Sequence, residues 1–185
     1  MENPLIRIHK VFDNEDFTSE IQSESEEIPF EHIKLSFDAD TDSNFSYTLI
    51  VSYESHEELG EIFTYGNHYD LIQIRYLFPF QVNEEDEDDS MRVTELVNKV
   101  SPVAGFGYDE TDRRCFFRYV IVQKAGFPSF SHILPGFELI RDVLNIYAPT
   151  ISQVADGSID LENLIDSIND QLFEDLDNFN EFNKS

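Results

Sequence analysis

The chain has no tryptophan and one cysteine among 185 residues. Cys115 alone cannot close an intramolecular disulfide or build a cysteine-based zinc site. Cations are scarce too: 12 Lys and Arg stand against 38 Asp and Glu, a formal net charge of −26. Nucleic-acid phosphates and anionic membrane surfaces are bound by cationic side chains that neutralise them. That balance excludes nucleic acid and membrane as partners and leaves basic proteins, apolar protein segments or divalent cations. No run of 18 apolar residues is present, the length a membrane-crossing helix requires. The opening residues, MENPLIRIHKVFDNED, lack the apolar core of a signal peptide. A cytoplasmic location is the expectation from these absences. Nucleotide and nucleophile-elbow glycine motifs are also missing. The GxG in AGFGYD opens a strand, so it offers no helix N-terminus to a phosphate.

Phenyl rings are abundant, 17 Phe and 8 Tyr, and the core is expected to be built from them. A chain of this length makes one domain with extensions, and a body of roughly 150 residues buries about 70% of its unfolded-chain surface. We divide it into an acidic N-terminal extension at 1–30, an α+β domain at 31–157, and an acidic amphipathic helix and tail at 158–185. Within 1–30, PLIRIHKVF admits a short strand or a helical turn, and NEDFTSEIQSESEE reads as loop or weak helix.

Three segments then alternate with period two, the mark of half-buried strands. Ile33, Leu35 and Phe37 lead. Phe45, Tyr47, Leu49, Val51 and Tyr53 follow, then Ile72, Ile74, Tyr76, Phe78 and Phe80. A short extra strand is expected at Glu61–Tyr65. Val93, Leu96, Val97 and Val100 change the period to that of a helix face. The carboxylates of EEDEDD suit the start of that helix, with Asp89 or Ser90 as its cap, and Ser101-Pro102 ends it. A hairpin follows, its second strand CFFRYVIVQ. A helix from Pro135 is expected to be kinked or interrupted at Pro149 and ended by Gly157. Strands grouped between helices argue α+β, an antiparallel sheet with helices packed on one face.

The stretches LVNKVSPV, AGFGYDETDRRCFFRYVIV and FELIRDVLNIYAPTISQVADG resemble the YbjN-type family of bacterial sensory-transduction regulators. That family has a type III secretion chaperone-like fold. In it, a helix ending in an LLN-type sequence precedes a glycine–aromatic strand, a strand holding an arginine, and a helix closing near a glycine. Arg118 and Gly157 take the last two places here. The resemblance implies a non-enzymatic binding or chaperone-like protein, homodimeric through its helices, that needs no cofactor. The acidic N-terminal segment, the EEDEDD insert, Ser101-Pro102 and the C-terminal helix depart from the family pattern.

Candidate sites are few. DADTDSNF places Asp38, Asp40, Asp42 and Asn44 at alternate positions, as an EF-hand loop does. It lacks the glycine at position 6 and the glutamate at position 12 that calcium coordination there needs, so it reads as a hairpin turn. EEDEDD reads as a solvated helix start. His9, His32, His56, His68 and His132 show no metal-ligand spacing, and Cys115 on an apolar strand face reads as a buried small hydrophobe. No catalytic or metal residues are assigned. Arg113, Arg114 and Arg118 concentrate positive charge. Arg75, Arg114 and Arg118 either balance nearby carboxylates or form a small anion-recognition patch. Leu161, Leu164, Ile165, Ile168 and Leu172 make an apolar stripe that either packs on the body of the protein or binds a partner.

The functional expectation is a protein-binding, chaperone-like module holding an apolar segment of a protein client. The alternative is an acidic inhibitor or immunity protein blocking a basic partner through carboxylates such as those of EEDEDD.

Overall fold

In the computed structural model, residues 3–12, 17–26, 28–39, 46–56, 69–124 and 130–166 are described. The alternating segments are strands β2 (His32–Asp38), β3 (Ser46–His56) and β4 (Tyr69–Leu77). The hairpin is β5 (Phe106–Asp109) and β6 (Arg114–Lys124). A further strand, β1 (Thr18–Gln22), precedes them. Among the described residues these six form one sheet in the order β1-β2-β3-β4-β6-β5, and every neighbouring pair is antiparallel.

The helices lie on one face of this sheet, so the fold is α+β as the strand and helix patterns require. Helix α1 (Pro4–Phe12) buries Leu5, Ile8 and Phe12, spaced three and four apart on one helical face. Asn3 starts it: its Oδ1 accepts the Leu5 N–H at 2.9 Å, with Pro4 at the first helical position, where its missing N–H costs nothing. Helix α2 (Glu87–Val100) follows a 3-10 turn at Glu84–Asp86 and buries Val93 and Val97. Helix α3 spans Phe130–Ala155. It buries Phe137, Ile140, Val143, Leu144, Ile151 and Val154. A last helical segment occupies 161–166.

The core is aromatic, as the composition requires. Tyr47, Phe12, Phe78, Phe117 and Phe137 are among its largest fully buried side chains. Edge-to-face contacts join Phe12 to Phe137 (centroids 4.6 Å) and Tyr47 to Tyr76 (5.4 Å), a favoured ring geometry. The Tyr47 hydroxyl donates to the Leu144 carbonyl at 3.2 Å, tying the sheet to α3.

Several expectations are corrected. Where it is described, the extension at 1–30 joins the body: α1 enters the core and Ile21 of β1 pairs with Ile33. The segment read as loop or weak helix contains that strand. Asp89 and Ser90 do not cap α2: the helix begins at Glu87, and Ser90 lies buried within it. Helix α3 begins five residues before Pro135 and runs through both Pro135 and Pro149. Its end matches the reading, since Gly157 adopts φ +72°, a left-handed conformation that glycine takes without steric cost. The extra strand at Glu61–Tyr65 and most of DADTDSNF lie outside the described residues.

Candidate functional site

The outward face of β4 and β6, opposite the helices, holds an arginine pair. Period two places Gln73, Arg75 and Leu77 on that face of β4, and Phe116, Arg118 and Val120 on that face of β6. The register puts Arg75 directly opposite Arg118, Leu77 opposite Phe116, and Gln73 opposite Val120. On the other side of β4, Ile50 stands beside Arg75.

Like charges directly opposite on a sheet are destabilising, on the order of the 0.2–1 kcal/mol that cross-strand pairs carry. One neutral group moderates the clash here. Gln73 Oε1 accepts Arg118 Nε–H at 2.5 Å and Arg75 Nη2–H at 3.2 Å. Neither guanidinium makes an ion pair among the described residues. For Arg75 and Arg118, the acceptor found among the described residues is a shared glutamine oxygen and not a carboxylate. Arg113 is the one that follows the charge-balancing pattern, its Nε lying 2.5 Å from Glu87 Oε1.

Around the pair is an open depression of about 230 Å³, lined by Arg75, Leu77, Asp109, Phe116, Phe117 and Arg118. Asp109 is the acidic member. Its Oδ1 already accepts the Thr111 and Asp112 N–H groups at 2.8 and 3.3 Å, holding the β5–β6 turn. Arg114 shares the outward face but stands opposite Asp109 at the hairpin end, about 13 Å along the strand from Arg118. The three arginines of the alternative anion-recognition patch are thus a close pair plus one separate residue.

Helix α2 locks the rim of this surface. Asn98 Nδ2 donates to the Phe106 carbonyl at 2.8 Å, and Asn98 Oδ1 accepts the Gly105 and Phe106 N–H groups at 2.9 and 3.0 Å. The Gly105 carbonyl in turn accepts the Arg118 N–H at 2.8 Å. A Cβ on Gly105 would lie 2.5 Å from the Arg118 carbonyl oxygen, so only glycine allows that approach.

The remaining candidates separate cleanly. Leu161 is fully buried, and Leu164 and Ile165 are partly buried against the same core. Leu161 is therefore corrected from partner-binding to core, because the turn after α3 folds the last helical segment back onto the body. Ile168 and Leu172 lie outside the described residues. In EEDEDD, Glu87 pairs with Arg113, Asp89 with Arg92 at 3.3 Å, and Asp86 accepts the Asn83 amide at 3.2 Å. His9 Nδ1 contacts Ser19 Oγ at 2.7 Å, and buried His32 meets the Phe30 carbonyl at 3.0 Å. Nothing is described of the side chains of His56, His68 and His132. Among the described residues, no three His, Cys, Asp or Glu side chains gather as metal ligands, and no helix is long and apolar enough to cross a membrane. Burial pushes the Cys115 thiol up to about 12, so almost none of the nucleophilic thiolate exists near neutrality.

Sequence reasoning missed Gln73 and Asn98. Gln73 carried a weak signal, since it shares a strand face with Arg75 two residues away. Asn98 lies inside the LVNKV stretch of the resemblance, and the structure gives that asparagine a physical role as the clamp between α2 and β5. In comparisons with known proteins, no family model, curated protein or solved structure matches the chain.

Proposed function

We propose that this chain is a non-enzymatic, chaperone-like protein-binding module of the cytoplasm. It takes an extended apolar segment of a protein client on the outward face of β4 and β6. One observation carries this reading: Leu77 remains 47% exposed opposite Phe116, with Ile50 opposite the neighbouring Arg75, on a sheet face that no described helix covers. Sheets with one solvent-facing side normally place polar residues there, so apolar side chains flanking an arginine pair suit a protein partner. The resemblance to the YbjN-type, secretion chaperone-like proteins supports the same reading, including a homodimer.

The rival, an acidic inhibitor of a basic partner, would bind through exposed carboxylates such as Glu84, Glu85 and Asp88. Affinity co-purification from the native cell at low and moderate salt, with the wild type and Leu77→Asp, separates the two. A stoichiometric partner lost from Leu77→Asp at both salts supports the sheet-face reading. A partner retained by Leu77→Asp but released by moderate salt favours the inhibitor, because screening weakens exposed charge contacts.

A further inference from the structure

The outward face of β4 and β6 has a chemical preference opposite to that of the chain as a whole. With 38 carboxylates in the sequence, two facing guanidiniums would be expected to find one. Arg75 and Arg118 instead share a glutamine oxygen. A guanidinium carries five N–H donors. Each arginine spends one on Gln73, which leaves four. Their planar forks match a carboxylate in a bidentate manner, and a carboxylate brought between them would relieve the repulsion of two cations held opposite each other.

Size narrows the ligand. The depression of about 230 Å³ falls below the roughly 300–1,000 Å³ typical of small-molecule pockets. It suits one acidic side chain. Its walls combine the two arginines with Leu77 and Phe116, and Ile50 stands beside Arg75. The one acidic wall residue, Asp109, already accepts two turn N–H groups. A segment alternating acidic and apolar residues would present both kinds of side chain to this surface.

We propose that Arg75 and Arg118 grip the carboxylate of an aspartate or glutamate in an extended acidic–apolar segment of the client, laid along β4 and β6. This rests on the sheet-face docking reading and adds the client's chemistry: the acidic chain binds an acidic stretch, through two arginines that pair with no carboxylate among the described residues.

The test is selection of a random dodecapeptide library on the immobilised full chain, at about 150 mM salt, where charges beyond roughly 8 Å are screened. Binders are then measured on Arg75→Gln/Arg118→Gln, Gln73→Glu and Leu77→Asp. Gln73→Glu supplies an internal carboxylate to the pair. The expected result is several-fold enrichment of Asp and Glu among Leu, Ile and Phe. The selected peptides should lose roughly tenfold or more in affinity on the first two variants and all binding on Leu77→Asp. Thermal melts and circular dichroism verify that each variant is folded. Peptides without acidic enrichment, or acidic peptides that bind the arginine variants as they bind the wild type, overturn the carboxylate grip and leave face docking standing. Binding undiminished in a folded Leu77→Asp, or no peptide selected at all, overturns both.

Discussion

Arg75 and Arg118 stand directly opposite each other on adjacent antiparallel strands, and one neutral oxygen, Gln73 Oε1, accepts from both. Each is ordinary alone. The pair is unusual because the chain carries more than three carboxylates for every cation, yet a glutamine fills the acceptor position.

Gln73→Glu follows as a stability prediction. The change replaces a neutral acceptor with a charged one between two guanidiniums. Hydrogen bonds to charged groups contribute about 1.5–3 kcal/mol, against roughly 1 for neutral ones. Burial of the new carboxylate offsets part of this, since Gln73 is 5% exposed. A net gain of about 1 kcal/mol is expected from urea denaturation at neutral pH. A loss would mean that desolvation outweighs the two charge-assisted bonds.

Asn98 is expected to be the most sensitive polar side chain of the α2–β5 junction. Asn98→Ala removes three hydrogen bonds at once and leaves the Gly105 and Phe106 backbone groups short of partners. Leaving a buried polar group unsatisfied costs about 1–3 kcal/mol. Gly105→Ala should reproduce the loss by another route, forcing a Cβ against the Arg118 carbonyl. Urea midpoints of the two variants measure this, and wild-type midpoints would show that the clamp carries no stability.

Leu161→Ala is predicted to cost about 2–5 kcal/mol, the range for truncating a buried leucine. Leu164→Ala should cost less, because Leu164 is only partly buried. Both losses should be independent of protein concentration if the stripe packs within one chain. Concentration-dependent melting would assign it to a dimer contact instead.

Stability should fall in alkali. Burial raises the Cys115 thiol from 9.0 to about 12 and raises the Tyr76 hydroxyl, with Tyr47 adding to the shift. Burial also raises Tyr53, whose hydroxyl donates to Asp70. These groups are neutral when protonated, and folding favours the protonated form. Their contribution is complete below the unfolded-state value and is lost as pH rises towards the folded-state one. For Cys115 that window is pH 9.0 to about 12. There the unfolded chain binds fewer protons, so stability declines by up to roughly 1.4 kcal/mol per pH unit for one such group. Urea midpoints measured between neutrality and about pH 11 would read this decline. Cys115→Ala should make it shallower, and a flat profile would remove the buried thiol from the account.

Much of the fold was legible because it is written in local periods. Ile33, Leu35 and Phe37 alternate, so their strand could be read before any partner was known, and Val93 and Val97 marked a helix in the same way. The first 22 residues were harder. The strand TSEIQ has no fully buried residue, and its order comes from pairing with β2 rather than from its own pattern. Its helix signal, Asn3-Pro4 ahead of Leu5, Ile8 and Phe12, was present but brief.

The sequence by itself determined the charge, the phenyl-rich core, the strand and helix periods, and the absence of a cysteine framework, since these depend only on composition and near-neighbour spacing. Tertiary structure alone decided that Leu161 enters the core, that Asn98 reaches Gly105 and Phe106, and that Arg75 faces Arg118. The arginine pair depends on the register between β4 and β6, strands separated in the chain by α2 and β5. A slip of one residue would turn every β6 side chain to the opposite face. That register is set by burying Ile72, Ile74, Cys115 and Phe117 together beneath the helices, a condition on the whole core that no local stretch of sequence contains.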